Sequence, residues 1–142
     1  MAILDPEGTM LFSRRSPVLR QGLLADAVIT GVTGLVMFFG ASVLASLLEL
    51  PEALLRYAGL ALLPFVAYVT YVATRERLHR PAVWAVILIN ALWVAAGIVL
   101  LLSGWIAPNA LGAVFVIVQA LAVAVFADLQ YLGVRRSMTT VA

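Results

Sequence analysis

The chain has 142 residues, of which 64% are hydrophobic and 11% charged, with a mean hydropathy of +1.09 and a formal net charge of +2. Soluble domains run at roughly 45–50% apolar and about 25% charged, so this much apolar surface calls for a hydrocarbon solvent. Cysteine is absent, which excludes disulfides, thiolate metal sites and Cys nucleophiles. All nine basic residues are Arg and stand beside apolar runs, where they act as topology signals rather than as a nucleic-acid surface.

Residues 1–16 are mixed and polar and are expected to form a loosely ordered N-terminal tail. Ser16-Pro17 is suited to cap a short interfacial helix leading into the first apolar run. Run one covers about 23–50, far longer than the 7–15-residue apolar segment of a cleaved signal. Run two covers 53–74, run three 82–103 and run four 110–134. Each exceeds the roughly 20 residues that a helix rising 1.5 Å per residue needs to cross about 30 Å of hydrocarbon. Transmembrane strands would be about 9–11 residues and would alternate in polarity, and these runs are continuous. Pro51, Pro81 and Pro108 stand where new helices begin, a place where the missing N–H costs nothing. Pro64 inside run two should kink it and free a carbonyl.

The expected fold is therefore all-α: an up-down-up-down bundle of four transmembrane helices spanning 17–136, with a C-terminal tail at 137–142. Arg14, Arg15, Arg20, Arg75, Arg77, Arg80, Arg135 and Arg136 fall on one side, and only Arg56 on the other. The positive-inside rule makes the Arg-rich side, with both termini, cytoplasmic. A shift of 57 residues aligns Gly40 with Gly97, Ser46 with Ser103 and Pro51 with Pro108, and nine of fifty positions match between 28–77 and 85–134. Chance would give roughly five to seven, so a duplicated helical hairpin is a weak expectation.

Polar residues inside a membrane are the default functional candidates. With runs three and four folded about residue 106, Asn90, Trp93 and Gln119 are expected to converge near the midplane. They would form either a small polar ligand pocket or interhelical glue. Asp26 and Asp128 are expected near the cytoplasmic interface, paired with Arg residues; Tyr131 and Arg135 share the face of Asp128 at i+3 and i+7. Neither Asp is expected to lie deep. The small residues Ala27, Gly31, Gly34, Ala41 and Ala45 form a stripe suited to close helix packing or to self-association. His79 is the only histidine, so neither a bis-histidine haem nor a zinc site can be built, and no cofactor or metal is expected. The segment 75–80 is expected to be a solvated, lipid-phosphate-facing loop.

The blocks Asn90-Ala-Leu-Trp93, Ser103 to Gly112, Gln119 to Ala122 and Asp128-Leu-Gln130 resemble small four-helix inner-membrane proteins of bacteria. The resemblance covers mainly the second half, implies the bacterial inner membrane as location, and implies no activity. Small multidrug-resistance transporters and fluoride channels match in size and helix count. The transporters, however, resemble one another in an embedded Glu in helix one, and here helix one has no Glu until its outer end. The Arg bias is also stronger than the dual topology common in both groups.

Three functions are open. The first is a non-enzymatic scaffold, accessory subunit or self-associating bundle, with membrane lipids, a second copy or a larger membrane protein as partner and no nucleic acid. The second is a binder or transporter of a small lipophilic molecule or ion through Asn90, Trp93 and Gln119. The least favoured is a lipid-acting enzyme using Asp26, Asp128 and Arg residues, since nothing resembles a nucleophile beside its base.

Overall fold

The computed structural model describes residues 2–4, 10–12 and 17–139. Helix α1 covers Pro17–Phe39, α2 Ala41–Leu48, α3 Glu52–Thr74, α4 Arg80–Ser103 and α5 Ala110–Thr139. Four helical segments are long and apolar enough to cross a membrane: Pro17–Phe39, Glu52–Thr74, Arg80–Ser103 and Ala110–Arg136. Their outward faces are apolar, with Val28, Val99 and Leu102 all more than 60% exposed, a surface suited to hydrocarbon and not to water. Helix α5 continues to Thr139, so the helical bundle runs past the boundary expected at 136.

Run one is two helices rather than one. They meet at Gly40 (φ −94°, ψ 13°), where a Cβ would lie 2.7 Å from the Val36 carbonyl oxygen. Hydrogen bonds from Gly40 N to Val36 O and from Leu44 N to Gly40 O carry the ladder across the break, so the chain bends without stopping. Helix α2 ends on Glu49 in the left-handed conformation, and Pro51 opens α3. Helix α4 ends on Gly104 at φ 76°, a conformation that glycine adopts without a Cβ penalty. Asn109 caps α5 by accepting from Gly112 N at 2.8 Å, and its own amide donates to Leu47 O at 2.9 Å, tying the α4–α5 turn to the end of α2.

Helix α1 is the centre of the bundle, packed against α3 on one side and α5 on the other, while α3 and α4 barely touch. The α1–α3 crossing is made by glycine. A Cβ at Gly59 would lie 2.7 Å from Gly34 O and from Phe38 N, so the two backbones approach as closely as the missing side chains allow. The stripe of small residues on run one thus serves internal packing at Gly34. The positions that the proposed duplication would pair with Gly34 and Gly59 are Ala91 and Val116, and Gly97, the counterpart of Gly40, lies inside an unbroken α4. The device that fixes the first hairpin is therefore missing from the second.

At the Arg-rich end, the N-terminal segment is not wholly irregular. Strands β1 (Ala2–Leu4), β2 (Met10–Phe12) and β3 (Leu78–His79) make a three-stranded antiparallel sheet in the order β1-β2-β3. Its register pairs Ala2 with Phe12 and Leu11 with His79. The turn between α3 and α4 is thereby held by backbone pairing; Arg14 and Arg15 lie outside the described residues. Arg20 reaches from α1 to the end of α3, donating to the carbonyls of Ala73, Arg75 and Glu76. A cation over the last carbonyls of a helix satisfies orphan acceptors and complements the helix dipole.

Candidate functional site

The core face of α1 reads Leu19, Leu23, Asp26, Ala27, Thr30, Gly34 and Met37, steps of one to four residues that keep one side of the helix inward. Asp26 is therefore on the core stripe. Its relative exposure is 0%, and it lies nine residues into α1, about 14 Å along the helix axis. Asn90 occupies the matching place on α4, continuing the buried line Val83, Val86, Ile87. On α5, Gln130 lies four residues from each of two other buried residues, Phe126 and Val134.

These three helices bring their polar groups to one point. Thr30 Oγ1 donates to Asp26 Oδ1 at 2.9 Å, and Asn90 Nδ2 and Gln130 Nε2 each donate to Asp26 Oδ2 at 2.8 Å. Asn90 Nδ2 also reaches Gln130 Oε1 at 3.3 Å. A carboxylate is an acceptor only, and here both oxygens are met by donors. Among the described residues no buried side-chain polar atom lacks a partner. Leu23 and Ala27 flank Asp26 on α1, and Val86 and Ile87 precede Asn90 on α4, so the cluster adjoins the hydrophobic core.

The half of the bundle away from the Arg-rich end is different. Two cavities of about 280 and 560 Å³ lie there, and Met37, Trp93, Phe115 and Gln119 line both. The smaller is bounded by the start of α3 and by α4 and α5, where α3 and α4 separate. The larger lies between α1, α2 and α5; Val32, Val36, Val114 and Val118 on its rim are each more than half exposed. Its inner wall reaches Thr30. The polar contact at their shared wall is soft: Gln119 Nε2 donates to Met37 Sδ at 3.4 Å, a weak acceptor.

The expected trio is thus divided. Trp93 and Gln119 come to the same cavities, and the antiparallel pairing about residue 106 is seen in Gly97 facing Val116. Asn90 faces Asp26 and Gln130 instead, one turn away from Trp93 on α4. Asp26 differs from the expected interfacial ion pair: it is deep, and the three side chains that bond it are uncharged. Arg20, six residues before it, is engaged by the end of α3. Asp128 lies on the exposed face of α5 with Val118, Leu121, Val125 and Leu132. Arg135 lies 5.8 Å from the Tyr131 ring, whose edge meets Trp84 at 5.9 Å.

Gln130 was not singled out by sequence reasoning. It is eleven residues, close to three turns, beyond Gln119, and that spacing puts both amides on one face of α5. At the Arg-rich end a small cavity of about 160 Å³ is lined by Tyr71, Arg75, Arg77 and His79, with the Arg75 guanidinium 4.1 Å above the Tyr71 ring. Among the described residues no group of three His, Cys, Asp or Glu could hold a metal. Compared with protein-family models, curated proteins and solved structures, the chain has no match.

Proposed function

We propose that this chain is an integral protein of a bacterial inner membrane, with both termini cytoplasmic, and that it binds a lipid-soluble small molecule without catalysis. The observation that carries the reading is the pair of cavities on either side of Trp93 and Gln119. Ligand sites of about 300–1,000 Å³ lined by apolar and aromatic side chains with few polar groups are typical of small-molecule binding. The rim between α1 and α5 faces the hydrocarbon, so a ligand dissolved in the bilayer enters sideways. The distribution of Arg supports the orientation.

Native mass spectrometry of protein extracted in mild detergent tests this reading. The expected result is a discrete small-molecule adduct that is lost in Ala122→Phe, which fills the larger cavity at its wall. No adduct, or one unchanged in Ala122→Phe, overturns it. A second reading, self-association, is favoured by Asp128 on the exposed stripe of α5, because a carboxylate facing hydrocarbon is costly and a second copy could give it donors. A discrete homo-oligomer without adduct in the same spectrum supports that reading instead.

A further inference from the structure

We propose that the larger cavity takes a lipophilic amine, bound as its ammonium ion, with Asp26 as the counter-charge acting through Thr30. The inference rests on the ligand-binding reading above and adds the charge of the ligand. Thr30 is the hinge of the argument, since it both lines the cavity and bonds the carboxylate. A hydroxyl has one proton and two acceptor lone pairs. The proton is engaged by Asp26 Oδ1, so what Thr30 has left for a ligand is an acceptor. Gln119 adds to this: one N–H of its amide is on Met37 Sδ, and its carbonyl oxygen is a further acceptor at the cavity wall.

Behind Thr30 stands a completely buried carboxylate whose three partners, Thr30, Asn90 and Gln130, are all neutral. They satisfy its hydrogen bonds and bring no positive charge to it. An ammonium nitrogen bonded to Thr30 Oγ1 would lie about 5 Å from Asp26 Oδ1, taking ordinary hydrogen-bond lengths. Attraction over such a distance in an apolar surround is far stronger than in water, while an anionic headgroup there is repelled. A neutral alcohol gains only the hydrogen bond. Trp93, Phe115 and Phe126 on the wall pack the alkyl chain, and aromatic faces also favour a cation.

The test is a titration of the Trp84→Phe/Trp105→Phe protein in nanodiscs of zwitterionic lipid, which leaves Trp93 as the sole tryptophan reporter. The probes are dodecylamine, 1-dodecanol and dodecanoate at neutral pH, corrected for partition into empty nanodiscs. Dodecylamine is expected to bind about tenfold or more tightly than dodecanol, and dodecanoate weakest, from the uncompensated charge. Asp26→Asn should bring dodecylamine down to the affinity of dodecanol, and Thr30→Val should cut its advantage over dodecanol severalfold. Thr30→Val keeps the carboxylate on its two amides and decides the matter if Asp26→Asn fails to fold. Equal binding of amine and alcohol, or an amine preference undiminished in Thr30→Val, overturns the charge assignment and leaves the cavity reading standing. No saturable binding of any probe, or binding unchanged in Ala122→Phe, overturns both.

Discussion

The Arg-rich half and the opposite half of this bundle use the same helices for opposite ends. Towards the Arg-rich end, side chains from α1, α4 and α5 close on one carboxylate, and Asp26, Thr30, Asn90 and Gln130 are all partnered there. Towards the other end, the helices diverge around Met37, Trp93, Phe115 and Gln119, and the space between them is hollow and open to the side. The difference teaches that in this protein a polar residue's role follows from its neighbours rather than its type. Asn90 and Gln119 are both amides in helices apolar enough to cross a membrane; one completes a closed network and the other lines an open cavity.

The comparison breaks most readily where the halves join. Gly59→Leu would drive a side chain into the backbone of Gly34 and Phe38, and we expect a loss of about 3 kcal/mol or more, with poor monodispersity in detergent. Thermal unfolding with size-exclusion chromatography checks it, and a well-behaved Gly59→Leu protein would mean that the crossing is looser than the glycines imply.

Asn90→Leu sharpens the contrast. It removes one of two donors to Asp26 Oδ2 inside a dry core, and leaving a buried acceptor short of a partner costs about 1–3 kcal/mol. The measurement is equilibrium unfolding in mixed micelles. Gln119→Leu is the paired control, with the smallest expected effect on stability, within about 0.5 kcal/mol, because only a weak contact to sulfur is lost. Its consequence belongs to ligand occupancy instead. Equal stability costs for the two variants would erase the distinction between a closed half and a hollow one.

Much of the fold was legible in the amino-acid order. Four long apolar runs, prolines at the starts of the later helices and a one-sided Arg distribution led to helix bounds that the structure matches closely for runs two, three and four. The bend at Gly40 was not foreseen, because a single glycine in an apolar run is as easily a packing residue as a break. The N-terminal strands were also missed. Ala-Ile-Leu and Met-Leu-Phe on either side of Asp5-Pro-Glu-Gly8 are a hairpin signal too short to stand out from a polar tail. Of the site, hairpin geometry about residue 106 puts Trp93 and Gln119 at one level, and both line the two cavities. Asp26 was expected at the start of the first helix among Arg residues, and the structure buries it completely because it falls on the core stripe of α1.

The sequence by itself determined how many segments are long and apolar enough to cross a membrane and which ends carry the cations, because length and hydropathy are one-dimensional quantities and backbone polar groups in hydrocarbon must be satisfied within each helix. Only the tertiary structure decided which polar side chains meet. Each residue turns a helix by about 100°, so the partner of Asp26 depends on the rotation and tilt of three helices at once, set by contacts such as Gly34 with Gly59 and Leu19 with Gly133. Those contacts turned Asp26 towards Asn90 and Gln130 and left Gln119 at the edge of an open cavity.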